Sequence, residues 1–148
     1  MILLVHHGDA VHPAVDASRP LSERGFLDVT RLAEAAAARG VKPDVIWHSG
    51  KLRARQTAEA YWRACNPLAP FSATRGLLPD DPPIWMRDQL AGDTRSIVVV
   101  GHMPHMPRLL RLLVTGDADA MSVSFPLHGC VALEPEGNRW KESWRLEP

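Results

Sequence analysis

The sequence has no net charge: seventeen Lys and Arg balance seventeen Asp and Glu over 148 residues. Without a global field, nothing in the composition favours nucleic acid or an anionic membrane, so any anion site must be built locally. Cysteine is scarce. Cys65 and Cys130 make no CxxC spacing, which argues against a disulfide framework and fits two free thiols in a reducing cytoplasm. The five tryptophans are not interleaved with basic residues as nucleic-acid binding would want, and read as core and edge packing. Long apolar runs are also lacking. Ile2 to Val5 is far too short for a signal peptide or a membrane span. With no repeat, low-complexity tract or linker, the chain reads as one domain over residues 1–148.

Short apolar runs and helical periodicities alternate along what is there. Ile2–Val5 does not alternate with polar residues, so it predicts a strand buried on both faces. Ser22 is a good N-cap, and Phe26, Val29, Leu32, Ala33, Ala36 and Ala37 then recur at helical spacing up to Gly40. Val45–Trp47 is a second short strand, followed by the helix-forming LRARQTAEAYWRA. Another strand is expected around Thr74–Leu78, ended by PDDPP. Ile97–Val100 is the clearest buried strand. Pro104 and Pro107 mark the start of a helix whose apolar face is Leu109, Leu110, Leu112 and Leu113. The C-terminal CVALEPEGNRWKESWRLEP reads as two strands around an EGN turn, with Trp140, Trp144 and Leu146 at even spacing. The fold class is therefore α/β: a three-layer α/β/α sandwich with a mostly parallel sheet and an antiparallel edge strand.

In such a sheet the ligand crevice lies beyond the carboxyl ends of the strands. VHHG and VVVGH each place a histidine there, so neighbouring strands would bring His7 and His102 to one crevice. HSGKLRARQT supplies cations at the start of a helix, whose N-terminus favours anions. Imidazoles, guanidinium and helix N-terminus together suit a phosphoryl group.

These residues carry a resemblance. VHHGDA, RPLSERG, HSGKLRARQTA and VVVGHMP, in that order, resemble the signature segments of the histidine phosphatase superfamily, in particular its small SixA-type phosphohistidine phosphatases. FPLHGCVALEPEGNRW is similar to the terminal hairpin of that group. The resemblance implies a phosphoglycerate mutase-like fold, a metal-independent hydrolase without cofactor, and a covalent phosphohistidine intermediate. By position, His7 would be the nucleophile, His102 the second pocket histidine and Arg53 a phosphate ligand. A neutral imidazole is a competent nucleophile at pH 7 if its other nitrogen donates to a fixed acceptor.

One position departs from the pattern: the family has arginine immediately before the nucleophile, and this chain has His6. His6 could act as a weaker phosphate ligand that gains charge below neutrality. Arg19, Lys51 or Arg55 could supply the missing charge. Or the pocket could bind phosphate or phosphohistidine without turnover. A working, slower phosphatase is the reading adopted. Asp80 and Asp81 fall where other branches keep an acidic proton donor, although a proline-bounded turn explains them as simply. Asp9 reads as a loop support, His48 as a residue that could line the pocket, and His12, His105 and His128 as surface or packing histidines. Arg24 and Arg31 read as the solvated face of the first helix.

A competing chemistry is a metallohydrolase holding zinc or manganese with His6, His7, Asp9 and His102, but no HExxH or CxxC spacing accompanies them and the RARQT segment would be left without a role. The expected partner is a phosphorylated protein, such as a histidine-phosphotransfer domain, or a small phosphorylated molecule. A chain this short has little room for a segment capping the substrate, and an open pocket suits a protein better than a metabolite.

Overall fold

The computed structural model describes residues 1–148. Its six strands, numbered in chain order, are β1 (Ile2–His6), β2 (Val45–His48), β3 (Phe71–Ala73), β4 (Ile97–Gly101), β5 (Cys130–Glu136) and β6 (Arg139–Leu146). The helices are α1 (Glu23–Ala38), α2 (Leu52–Cys65), α3 (Pro83–Leu90) and α4 (His105–Thr115). One sheet contains every strand, in the order β3-β2-β4-β1-β5-β6. β1, β2, β3 and β4 run parallel, and β5 and β6 continue the sheet antiparallel.

Strand alternation sorts the core into two layers. Ile2, Leu4, Ile97 and Val99 pack beneath α3 and α4 with Met86, Leu90, Leu109 and Leu113. Leu3, Val5, Val98 and Val100 point the other way, to Leu32, Ala33, Ala54 and Ala58 of α1 and α2. β1 and β4 are fully buried on both faces, which is why their sequences are unbroken apolar runs. α1 starts where Ser22 Oγ accepts the Gly25 N–H at 3.0 Å, and the chain leaves it through Gly40 at φ +86°.

Four details differ from the sequence reading. The strand expected at Thr74–Leu78 lies earlier, at Phe71–Ala73, and Gly76 at φ +95° turns the chain just beyond it. α3, eight residues opening with Pro83, buries only Pro83, Met86 and Leu90 and had no counterpart in the pattern. Phe26 is 44% exposed and does not join the buried face of α1. The evenly spaced Trp140 and Trp144 do not share a face. A bulge opposite Ala132/Leu133 inserts one residue into β6, so Trp140 packs on the α3/α4 layer while Trp144 and Leu146 pack on the other.

Candidate active site

β1 and β4 are neighbours, with His6 opposite Gly101, so their carboxyl ends deliver His7 and His102 to one place. The two rings lie 5.0 Å apart, and His6 and His7 lie 4.4 Å apart. The turn out of β1 is tightly tied. His7 N–H donates to Gly101 O (3.1 Å), and Gly8 N–H donates to Thr57 Oγ1 (3.0 Å), whose hydroxyl in turn donates to Arg53 O (2.8 Å). Thr57 thereby joins the turn that follows β1 to the first turns of α2. A side chain at Gly8 would stand 2.5 Å from Val29 Cγ1, and one at Gly25 would stand 2.1 Å from Asp9 O. Both glycines let α1 press against the loop that follows β1.

Hydrogen bonds set the tautomers. His7 Nδ1 lies 2.7 Å from Gly8 O; a carbonyl only accepts, so Nδ1 carries the proton and Nε2 keeps its lone pair. His6 is the reverse: its Nδ1 accepts the backbone N–H of His128 at 2.7 Å, which leaves its proton on Nε2. His102 Nε2 is 2.6 Å from Ser49 Oγ. Its Nδ1 is buried without a partner, as is Arg53 Nε.

All three imidazoles are held neutral at pH 7. Burial, then the neighbouring His7 and His128, press the pKa of His6 down to about 2. Burial lowers His7 to about 4, against an opposing push from the bond to Gly8 O, with Arg53 lowering it further. Burial, His7 and Arg53 bring His102 to about 3. A proton on His6 Nδ1 would also face the His128 N–H. The gain of charge by His6 below neutrality, expected from its sequence position, is therefore opposed by its own hydrogen bond. The cations at hand are Arg53, Arg19 and Lys51. Arg53, itself lowered by burial and then by Arg19, acts on all three histidines. Arg19 also acts on His7, and Lys51 on His102. Arg55 is turned away, bonded to Glu59 at 3.2 Å.

The remaining residues separate clearly. His48 accepts the Gly50 N–H (3.0 Å) and packs on Phe71, outside the imidazole cluster. His12 is exposed and caps Ala14. His105 is buried with both ring nitrogens unpartnered. Asp80 is exposed, whereas Asp81 accepts the Leu78 N–H (3.0 Å). Asp81 lines an open cavity of about 400 Å³ together with Ser49, Thr74, Arg75 and Trp85.

His128, read from sequence as a surface or packing histidine, sits in the cluster instead. Its ring stacks on His6 at 4.9 Å and 9°, and its Nδ1 is 2.8 Å from His7 O. The signal was topological. An antiparallel strand beside β1 begins where β1 ends, and Val5 is opposite Cys130. Nitrogens of His6, His7 and His128 lie within 4.8 Å of one another, a different set from the His6, His7, Asp9 and His102 considered for a metal. With the His6 lone pair taken by the His128 N–H and its other nitrogen protonated, that set does not offer three metal ligands.

The family model of the histidine phosphatase superfamily (branch 1) matches residues 2–77, just over half of the chain. The chain belongs to this superfamily. No curated protein sequence matches it. Among solved structures, one from Agrobacterium tumefaciens assigned as a phosphohistidine phosphatase SixA is 28% identical, covering 99% of this chain and 97% of its own, with a TM-score of 0.81. The protein histidine phosphatase SixA complexed with tungstate superposes at TM-score 0.85 with 22% identity, over 99% and 96% of the two chains. A phosphoserine phosphatase from Entamoeba histolytica, in complex with 3-phosphoglyceric acid, shares the fold at TM-score 0.72 and 12% identity, over 99% and 96%. No helix is long and apolar enough to cross a membrane.

Proposed function

We propose that this histidine phosphatase removes phosphoryl groups from phosphohistidine on a protein partner, such as a phosphorelay domain, through a covalent intermediate on His7. The observation that carries the reading is the His7 Nδ1–H···O=C bond to Gly8, which fixes the tautomer that leaves Nε2 nucleophilic. His7 Nε2 attacks phosphorus as the substrate P–N bond breaks and the departing imidazole takes up a proton. Water then attacks the phosphorylated His7, the new P–N bond breaks and inorganic phosphate leaves.

Phosphoryl transfer needs in-line positioning and donors on the equatorial oxygens. Arg53 supplies a fork of donors for them. His102, whose Nε2 is 2.6 Å from the Ser49 hydroxyl, is the second imidazole beside the transferring group. His6 contributes a neutral Nε2–H rather than the cation of the family pattern. Asp81 is better placed than Asp80 to deliver a proton, because it shares a cavity wall with Ser49. A labile P–N bond demands less of that acid than a phosphate ester, whose alkoxide leaves badly.

Incubation with ³²P-labelled phosphohistidine protein tests the reading. Label should appear transiently on the native chain and not on His7→Ala; equal label on both would move the nucleophile elsewhere. His6 in the arginine position favours a second reading, a phosphohistidine-binding module. Phosphate-sensitive binding of the phosphoprotein with no phosphate release would establish it in place of the first.

A further inference from the structure

His128 lies outside the four pocket segments, in the FPLHGC stretch that leads into β5, yet it touches both His6, the last residue of β1, and His7. Its backbone N–H fixes His6, its Nδ1–H donates to His7 O, and its ring lies flat on His6. The backbone is held for this placement. His128 has φ +57°, in the left-handed region, and Gly129, which follows it, accepts the His6 N–H at 3.0 Å. On the far side, His128 Nε2 is 4.0 Å from Asp9 Oδ1, and Asp9 Oδ2 is itself fixed by the Ser22 hydroxyl at 2.7 Å. The groups facing the ring are thus His6 at the end of β1 and His7 and Asp9 from the loop that follows it.

A ring nitrogen of His128 lies within 4.8 Å of ring nitrogens of both His6 and His7, a spacing at which three groups can share one tetrahedral oxyanion. Since Nδ1–H is committed to His7 O, only the doubly protonated ring can also donate from Nε2. On that side Nε2 faces Asp9 Oδ1, 4.0 Å away, and would face the bound anion.

We propose that His128, as an imidazolium, is a direct ligand of the transferring phosphoryl group. His6 and His128 then divide the work of the missing arginine, His6 supplying a neutral donor and His128 the charge. The inference rests on the phosphatase reading above, and the test separates the two. Tungstate, a tetrahedral oxyanion, is titrated calorimetrically into the native chain and into His128→Asn. Asparagine tolerates the left-handed backbone and can still donate to His7 O, so the variant retains the local fold. A hydrogen bond from a charged group predicts roughly a tenfold to hundredfold weaker affinity for the variant. In the native chain, the ¹⁵N resonances of the His128 ring should move to imidazolium positions as tungstate binds. Equal affinity in the variant, or His128 resonances unchanged by saturating tungstate, would overturn the role of His128 while leaving the phosphatase reading intact. A native chain that does not bind tungstate would overturn both.

Discussion

The protonation state of His7 is open to direct measurement. In a solvated chain its imidazole would titrate at 6.5, whereas here burial first, and Arg53 among its neighbours, bring it to about 4. That difference corresponds to roughly 3 kcal/mol of preference for the neutral ring. At pH 5 about nine-tenths of His7 would still be neutral, against about 3% for an unperturbed histidine, roughly a thirtyfold difference in competent nucleophile. Two-bond ¹H–¹⁵N correlation spectra of the histidine rings, recorded from pH 8 to pH 4.5 and assigned with His7→Ala, report both the midpoint and the tautomer. The expected spectrum shows the Nδ1–H tautomer persisting below pH 5. A midpoint near 6.5, or protonation on Nε2 at neutral pH, would refute the geometry on which the mechanism depends.

Acid should destabilise the fold, because His6, His7, His102 and His105 all have folded pKa values below that of the unfolded chain. Between 6.5 and about 4 the unfolded state binds more protons, so stability is intact above 6.5 and falls at about 1.4 kcal/mol per pH unit for each such histidine; urea melts at pH 7, 6 and 5 check the slope, and a flat dependence would contradict it. Ser49→Ala removes the 2.6 Å partner of His102 Nε2 and should lower kcat/KM tenfold to a hundredfold, from about 1–3 kcal/mol for an unpaired buried group, with little change in circular dichroism. Gly25→Ala puts a methyl 2.1 Å from Asp9 O and should lower Tm by several degrees, read by calorimetry, since the obstacle is backbone rather than a movable side chain. Phosphatase activity should survive exhaustive chelation, because the His6 Nδ1 lone pair is taken by the His128 N–H and its Nε2 carries the proton; loss of activity restored by added zinc would favour the metal chemistry instead.

Much of this architecture could be read from the chain because of burial. Ile2–Val5 and Ile97–Val100 are covered on both faces, so each is an unbroken apolar run, too short for a helix and rich in β-branched residues. β3 gave no such signal, being three residues long with two of them exposed. α3 was hidden for the opposite reason, its short span and opening proline leaving too few positions to show a period. In the site, His7 and His102 were legible because parallel strands end on the same edge. His128 was not, since it precedes a strand, and only the antiparallel course of β5 brings that start to the same edge. Ser49 and Thr57 were overlooked because each works through a partner about fifty positions away, His102 for one and Gly8 for the other.

Placing a histidine where the family carries arginine changes what the pocket can do, and the neighbouring chemistry follows from it. A guanidinium would have brought a fixed charge and several donors to a spot 97% shielded from solvent. His6 brings one N–H and no charge, because His128 occupies its other nitrogen. Arg53 is then the cation that acts on His6, His7 and His102 alike, with Arg19 and Lys51 each reaching one of the three rings. With less fixed charge, the site stabilises a developing dianion less strongly, and chemistry that asks least of it is favoured. A phosphoryl group on imidazole, with its weak P–N bond, meets that condition; a phosphate ester, which must expel an alkoxide, does not. The loss at position 6 therefore argues for a phosphohistidine substrate and against esters, and a rate on aryl or sugar phosphates matching that on phosphohistidine protein would contradict this reasoning.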